Sequence, residues 1–262
     1  MIDTHCHLTS RGLVERVSEV VEAAREAGVK KMITIGTALD DSQKAVEIAM
    51  ANEGVFATVG LHPHEWVEGT REEDFKAEMR GILRGYEGKK IVGIGEIGLD
   101  WFYDEPARED QKMIFQWQLD VCVEQEFEGL PIVIHNREAT EETIGMLEAM
   151  GIKGERCVFH CFTGSVEEVE KILAYGAMIG FTGAVTFKNA DEIRAACELV
   201  PIERLVVETD SPYMTPVPHR KIRPNEPKFV KVTAAFLAES RGMDVGEFVK
   251  VVDGNAERFF GI

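Results

Sequence analysis

The amino-acid sequence predicts an α/β protein, a single-domain (β/α)8 or TIM barrel. Strand-like and helix-like patterns alternate from end to end of the 262 residues, which implies a parallel sheet with right-handed crossovers. Eight such units close as a barrel rather than an open sheet. No Gly-, Pro- or Ser-rich linker divides the chain. We therefore expect one domain over residues 1–262.

The strands are predicted from short apolar runs, because strands of a parallel sheet are buried on both faces. The predicted strands are 1–7, 31–36, 55–62, 91–100, 130–136, 156–162, 177–182 and 205–210.

The helices are predicted from apolar residues spaced three and four apart. The first repeats from Leu13 to Ala24 and stops near Gly28, and Asp40 or Asp41 is a candidate cap for the second, which continues to Ala49. The others are 74–83, 108–127, 139–150, 166–175, 190–199, 226–240 and 245–259. The proline-rich segment 212–227 is predicted to be a long loop over the site, since long loops in compact domains are usually functional.

Composition and charge limit the classes of protein. The chain is 45% hydrophobic with no apolar run long enough for a membrane span, and its five cysteines form an odd, unpatterned set that suits a reducing compartment. The candidate site begins at His5, so we expect no removable signal peptide, no membrane association and a cytoplasmic location. The net charge of −17 weighs against a general nucleic-acid binder. Two bound cations would still supply positive charge where a phosphate must lie.

Residues of metal-binding type stand at the ends of predicted strands. Because these ends meet at one mouth of a barrel, we expect them to share a pocket. Four imidazoles and two carboxylates suit two divalent cations, and Mg²⁺, Mn²⁺ and Zn²⁺ all remain open. The candidate metal ligands are His5, His7, Glu96, His135, His160 and Asp210.

The first and fourth strands carry the clearest pattern. His5 and His7 are two residues apart and share a strand face, while Cys6 points to the other. The alternative is a pair of core histidines. Glu96 follows alternating glycines, and we expect it to bridge two cations as a catalytic residue; a solvated loop glutamate is the alternative. Asp100 is interpreted as a loop or cap residue.

His135 and His160 each end an apolar run on consecutive β/α units. A single histidine in this position is usually a core residue, whereas two suit a second metal. Cys161 invites interpretation as a nucleophile, but strand alternation predicts that it faces away. Asp3 is either an orienting partner for a histidine or an ordinary buried acceptor.

Glu208 and Asp210 share a face of the eighth strand. Asp210 is the remaining catalytic candidate, a ligand placed to accept a proton from water; an Asx turn before Pro212 is the alternative. Glu208 lies one layer deeper and is predicted to orient a ligand.

Substrate contacts are predicted from loops on the same side of the barrel. His62 follows the third strand, and Arg137 is in phase with His135. Arg220, Arg223 and Lys188 lie in later loops and are candidates for holding phosphates. The alternative for these cations is surface ion pairing with the many carboxylates. His64 is interpreted as a loop residue.

Together these motifs resemble the TatD family of metal-dependent deoxyribonucleases, within the amidohydrolase-like barrels. The matching segments are 3–8, 60–64, 93–100, 131–139, 159–164, 207–212, 225–227 and 255–259. The resemblance implies that His5, His7, Glu96 and Asp210 hold one metal and that Glu96, His135 and His160 hold the second. Residues 219–224 depart from the family's usual pattern, which leaves substrate positioning open.

The site therefore predicts a binuclear metal-dependent hydrolase with Mg²⁺ favoured as the cellular metal, and the cations of the loops favour a phosphodiester over a neutral carbonyl substrate. The resemblance implies DNA as the substrate, single-stranded or trimmed from a 3′ end, with no obligate protein partner. The main alternative is an amidohydrolase-type esterase, lactonase or deacylase acting on a small carbonyl substrate. A binding protein that keeps the barrel as a scaffold is the third, but all six ligand positions are filled here.

Overall fold

The computed structural model describes residues 1–85, 90–103 and 105–262. Within these ranges, eight parallel strands form one sheet in which each strand pairs with the next along the chain. The strands are β1 (Ile2–Cys6), β2 (Lys31–Thr34), β3 (Val55–Val59), β4 (Ile91–Asp100), β5 (Ile132–Arg137), β6 (Cys157–Phe159), β7 (Met178–Phe181) and β8 (Leu205–Val207).

The sheet curves until its first strand meets the segment that leaves β8. The Asp210 backbone N–H donates to the His5 carbonyl at 2.9 Å, and the His7 N–H donates to the Ser211 carbonyl at 2.7 Å. Cys6 and Ser211 pair as a parallel bridge at the same place. The predicted barrel is thereby confirmed.

Helices connect the strands on the outside of the barrel. They are α1 (Val17–Glu26), α2 (Leu39–Ala51), α3 (Glu72–Gly85), α4 (Arg108–Cys122), α5 (Thr140–Ala149), α6 (Val166–Tyr175), α7 (Asp191–Leu199), α8 (Val230–Ser240) and α9 (Val245–Phe260). Among the described residues, no helix has both the length and the apolar character that a membrane crossing requires.

The bounds of α6 equal the prediction because local chemistry sets both ends. Ser165 and Glu168 form a reciprocal capping box at the start, and Gly176 adopts the left-handed conformation at the end. Elsewhere the bounds differ. α2 has Ala38 at its N-cap, while the Asp41 carboxylate accepts the Thr37 N–H at 3.1 Å from inside the first turn.

The α4 helix is shorter than predicted. The strands β6 and β8 also end earlier than predicted. α4 stops at Cys122, and 123–130 continue as hydrogen-bonded turns. β6 ends at Phe159 and β8 at Val207, so His160 and Asp210 lie just past the ladder. The backbone of Asp210 has a positive φ of 51°. The site residues therefore lie partly in the strands, as with His5, Glu96 and His135, and partly in the segments just past them at the carboxyl-terminal mouth.

An apolar layer fills the barrel beneath this mouth. Val133, Val158 and Val206 are buried two residues before His135, His160 and Glu208. Residues two apart share a strand face, so each valine lies one layer below a polar site residue. Ala256 and Phe260 of α9 belong to the same buried cluster. The polar site thus rests on a buried apolar layer.

Candidate metal centre

One group of donor atoms joins β1 to the segment after β8. His5 Nε2 lies 3.2 Å from His7 Nε2, and His7 Nε2 lies 3.2 Å from Asp210 Oδ1. Glu96 Oε2 is 3.4 Å from His5 Nε2. All four side chains are buried. Two ring nitrogens and two carboxylate oxygens therefore converge on one point.

A second group surrounds the other oxygen of Glu96. Glu96 Oε1 lies 2.6 Å from both His135 Nδ1 and His160 Nε2. His62 Nε2 is 3.1 Å from His135 Nδ1 and 3.6 Å from the same oxygen. Glu96 thus faces one group of imidazoles with Oε2 and another with Oε1. His62, predicted only as a substrate contact, lies among the candidate ligands.

Glycines of β4 allow Glu96 to reach this position. A Cβ on Gly95 would lie 2.6 Å from the Val133 carbonyl oxygen, and one on Gly98 would lie 2.0 Å from that of His135. Both glycines also have φ near +147°, a backbone angle that residues with a side chain rarely adopt. The close approach of β4 to β5 therefore depends on glycine, and it brings Glu96 next to His135.

The charges within the site compensate one another. Burial alone would raise the pKa of Glu96, but the charge of His160 and the hydrogen bonds from the imidazoles hold it well below its usual range. Burial would lower the pKa of His160, yet Glu96 and Glu208 raise it well above the ordinary value. Burial and His135 keep the pKa of His62 well below normal. Glu96 is thus held as an anion among imidazoles.

The donor set fits divalent cations. His5, His7 and Asp210 form one group whose donor atoms all lie within 4.8 Å of one another, and His62, Glu96 and His135 form another. Among the residues that the structure describes, His5 Nδ1 is buried without a hydrogen-bond partner. In this cluster imidazoles face carboxylates. A bound dication would take the place of the protons between them, coordinate the same nitrogens and oxygens, and release those protons.

Glu208 supports the second group from below. It accepts a hydrogen bond from the Cys161 backbone N–H and one from Thr4 Oγ1 at 3.3 Å. Its Oε1 also lies 3.7 Å from His160 Nδ1. Gly180 leaves space for this carboxylate, since a Cβ there would meet it at 2.7 Å. The contacts agree with an orienting role, although His5, His160 and Glu208 also form a possible ligand group.

Asp100 was interpreted from sequence as a loop or cap residue, and its contacts add a second role. Asp100 Oδ1 accepts the Phe102 N–H at 3.1 Å, as a cap would. Asp100 Oδ2 lies 3.1 Å from His135 Nε2 and 3.4 Å from His64 Nε2. Glu96 and Asp100 are four residues apart on β4 and share a face, which is the signal that could have identified it.

We expect Asp100→Asn to weaken metal binding or turnover by about 10- to 100-fold, because partners of metal-binding histidines have effects of this size. The amide still accepts the Phe102 N–H through its oxygen but no longer offers a charge to His135. Titration calorimetry with Mn²⁺ and steady-state kinetics measure the two effects. Asp253→Asn is the matched control, since Asp253 accepts the Ile2 N–H at 2.8 Å away from the mouth. Equal behaviour of the two variants would contradict the assignment.

Asp3 takes the second of the two roles that the sequence left open, an ordinary buried acceptor, whereas strand alternation does not place Cys161. Asp3 accepts hydrogen bonds from the Thr209 backbone and hydroxyl, and burial raises its pKa to about 8. It braces β1 against the end of β8 and makes no hydrogen bond to an imidazole. Cys161 lies beyond the strand with φ of +43°, so alternation does not set its direction. Burial and the charges of Asp210 and Glu208 raise its thiol pKa well above normal, which disfavours a nucleophilic thiolate.

The predicted phosphate contacts lie around the mouth. The Arg137 guanidinium stacks 3.6 Å from the Phe102 ring centroid, and Arg220 stacks 3.7 Å from that of Phe187. Lys188 and Arg223 are exposed. Within the described part of the chain, none of these four cations has a carboxylate within 4 Å. The alternative of surface ion pairing finds no support there.

A parallel barrel that gathers imidazoles and carboxylates at its carboxyl-terminal mouth is typical of metal-dependent hydrolases. A comparison with protein-family models identifies the family within this class, since the model described as TatD related DNase matches residues 2–261. The chain belongs to this family, as its motifs indicated.

Individual relatives agree over the whole length. The uncharacterized metal-dependent hydrolase YabD of Bacillus subtilis is 34% identical, covering 100% of this chain and 99% of its own. The 3′-5′ ssDNA/RNA exonuclease TatD of Pantoea ananatis is 35% identical, covering 100% of both chains. Among solved structures, the TatD homolog YJJV of Escherichia coli superposes with a TM-score of 0.90 at 27% identity, covering 100% of this chain and 98% of its own. These likenesses identify the protein as a metal-dependent hydrolase.

Proposed function

We propose that this protein hydrolyses phosphodiester bonds in single-stranded DNA, or at DNA 3′ ends, with two divalent cations. The observation that carries the proposal is the position of Glu96, whose two oxygens face two separate groups of imidazoles. The Pantoea relative named as a 3′-5′ ssDNA/RNA exonuclease supports the substrate class. We propose Mg²⁺ as the cellular metal, with Mn²⁺ and Zn²⁺ as substitutes in vitro, and one catalytic domain over residues 1–262.

The ligand sets follow from the contacts. His5, His7, Asp210 and Glu96 Oε2 would hold one cation, and Glu96 Oε1, His135 and His160 the other, with His62 within reach. When bound, two such cations lower the pKa of a water and stabilise the charge that develops on the phosphate. Because a water is then the nucleophile, no thiol or hydroxyl of the chain is required to form a covalent intermediate.

The remaining roles belong to side chains of the protein. Asp210 Oδ1 lies 3.2 Å from His7 Nε2 in the first ligand group and is our candidate to accept a proton from the attacking water. Asp100 contacts His135 Nε2 at 3.1 Å and would hold that ring with Nδ1 directed at Glu96, while the charge of Glu208 lies 3.7 Å from His160 Nδ1 and would favour the orientation of that imidazole. The apolar layer of Val133, Val158 and Val206 keeps water from entering below.

The test of this function is a panel of substrates with the metal-reconstituted protein. Single- and double-stranded DNA labelled at the 3′ or the 5′ end report cleavage and its polarity, and a lactone and a p-nitrophenyl ester run in parallel. We expect cleavage of single strands and loss of activity with a chelator. Turnover of the carbonyl substrates without phosphodiester cleavage would replace the proposal with an esterase or lactonase.

Local cations explain how a chain of net charge −17 approaches a polyanion. Lys188, Arg220 and Arg223 lie in the loops that follow β7 and β8, on the side of the metal centre. In the part of the chain that the structure describes, the Arg137 side chain makes no hydrogen bond or ion pair, and its guanidinium lies over the Phe102 ring. Two to four phosphate contacts of this kind predict a shallow salt dependence. For single strands, the slope of log affinity against log salt concentration should be about −0.7 for each phosphate contacted.

We expect the double variant Arg220→Ala, Arg223→Ala to raise KM for single-stranded DNA and to reduce the salt slope, with little effect on a small aryl phosphodiester. Steady-state kinetics at several salt concentrations measure both. Arg71→Ala is a suitable control, because Arg71 is an exposed cation already paired with Asp74 at 3.6 Å. Equal loss on both substrates would mean that the loop supports the site rather than binding DNA.

A further inference from the structure

A cleft of about 290 Å³ adjoins the second ligand group. Its walls include Phe102, Asn136, Arg137, Phe162, Thr163 and Gly164. Phe102 follows Asp100, Arg137 follows His135 and Phe162 follows His160, each within two residues along the chain. The cleft is therefore built from the segments that leave β4, β5 and β6, next to the candidate metal ligands. Its volume lies near the lower end of the roughly 300–1,000 Å³ typical of small-molecule sites.

One exposed aromatic ring, that of Phe102, lines this cleft, and the exposed ring of Tyr103 packs against it. Phe102 is 51% exposed and Tyr103 is 50% exposed, in an edge-to-face pair with ring centroids 4.9 Å apart. The Phe102 backbone N–H donates to Asp100, and the Arg137 guanidinium lies over the ring. Contacts thus hold the ring in place while leaving half of its surface to solvent, as expected of a stacking surface.

The charges in the cleft disfavour a second phosphate there. Glu138 and Glu168 also line it, and Arg137 is the one cation among the lining residues. The Glu168 carboxylate accepts from Thr140 Oγ1 at 2.7 Å and from the Ser165 N–H at 2.9 Å. A planar group without charge suits this lining better than an anion does.

We infer that the cleft is a nucleobase subsite in which Phe102 stacks on one base of the strand being cleaved. The N–H edge of Arg137 holds the phosphate next to that base. Stacking on an aromatic ring tolerates every base, so the subsite selects unpaired nucleotides rather than a sequence. A base must leave its duplex to enter, and paired ends are consequently poor substrates. This inference rests on the proposed nuclease function.

The test is a double-mutant cycle between Phe102 and the base. The variants are Phe102→Ala and the aromatic control Phe102→Tyr, both of which keep the backbone hydrogen bond to Asp100. Leu199→Ala is a second control, since Leu199 is a 47% exposed apolar side chain on α7. Each protein is assayed on a single-stranded oligodeoxynucleotide and on versions with one abasic residue at each of the terminal positions.

We expect Phe102→Ala to raise KM by about tenfold or more on the normal strand, with kcat largely kept and with Phe102→Tyr near the unmodified protein. When the abasic residue occupies the position that binds in the cleft, Phe102→Ala should no longer raise KM relative to the unmodified protein. An equal penalty at every position would overturn the subsite while leaving the nuclease function intact. Failure of the unmodified, metal-loaded protein to cleave any DNA would instead refute the proposed function, and the subsite with it.

Discussion

Glu96→Gln is expected to lower the rate of DNA hydrolysis by about a thousandfold or more. An amide offers one oxygen where the carboxylate offers two, so it cannot serve both groups of imidazoles, whose nearest nitrogens lie 3.4 Å from Oε2 and 2.6 Å from Oε1. Losing several kcal/mol of transition-state stabilisation corresponds to an effect of this order. Kinetics together with metal analysis of the purified protein measure the loss, and at least one of two metal equivalents should be missing.

The matched control is Glu257→Gln, because Glu257 is an exposed carboxylate on α9 paired with Lys31 at 2.7 Å. It should retain both metals and full activity. If Glu96→Gln kept two metal equivalents and its rate, Glu96 could not be the shared ligand. The two cations would then need separate ligand sets.

The second large effect distinguishes the proposed ligand His7 from its neighbour in the sequence, Cys6. His7→Ala and Asp210→Ala should each abolish measurable turnover, a loss of about a thousandfold or more, because each removes a donor of the first cation's proposed ligand set. Cys6→Ser should leave most of the activity. The Cys6 thiol is buried and directed at the Ile33 carbonyl at 3.3 Å, away from the ligands, and a hydroxyl preserves that contact.

Activity with single-stranded DNA and metal content distinguish the outcomes, and thermal melting verifies that each variant is folded. Inactivation by Cys6→Ser in a folded, metal-loaded protein would mean that β1 presents a different face to the site than the structure gives. Full activity of Asp210→Ala would remove Asp210 from both of its proposed roles, ligand and proton acceptor.

The pattern of the sequence was sufficient for the barrel and for the grouping of its polar residues. Apolar runs followed by His5, Glu96, His135 and Asp210 predicted eight parallel strands with one polar mouth, and the strand order confirms the barrel. This works because the chain direction of a parallel sheet puts all carboxyl ends on one side. Neighbours in the pocket can thus be inferred without knowing any distance.

Interpretation of single side chains was less secure beyond the strand ends. The two-residue alternation that separates Cys6 from His7 holds inside the hydrogen-bonded ladder of β1. It fails for Cys161, which lies past the end of β6 with a positive φ. That Cys161 is not a nucleophile stays a prediction, which burial and the nearby carboxylates support because they raise the pKa of its thiol.

Asp100 and His62 show where local pattern gives too little information. Considered by itself in the sequence, each residue is typical of a loop. Its role becomes visible only from its contact with β5. His135 Nε2 lies 3.1 Å from Asp100, and His135 Nδ1 lies 3.1 Å from His62. Those distances depend on how closely β4 approaches β5, which in turn depends on the missing side chains of Gly95 and Gly98.

The sequence by itself determined the β/α order, the membership of the family and the residue types at the mouth, because these follow from periodicity and from which side chains end each strand. Only the tertiary structure decided which oxygen of Glu96 faces which imidazole, that Asp100 supports His135, and that Arg137 rests on Phe102 beside a cleft. Such contacts join residues far apart in the sequence, and His7 and Asp210 are separated by 203 positions. Their geometry is set by the packing of neighbouring strands and loops, which no local pattern of the chain encodes.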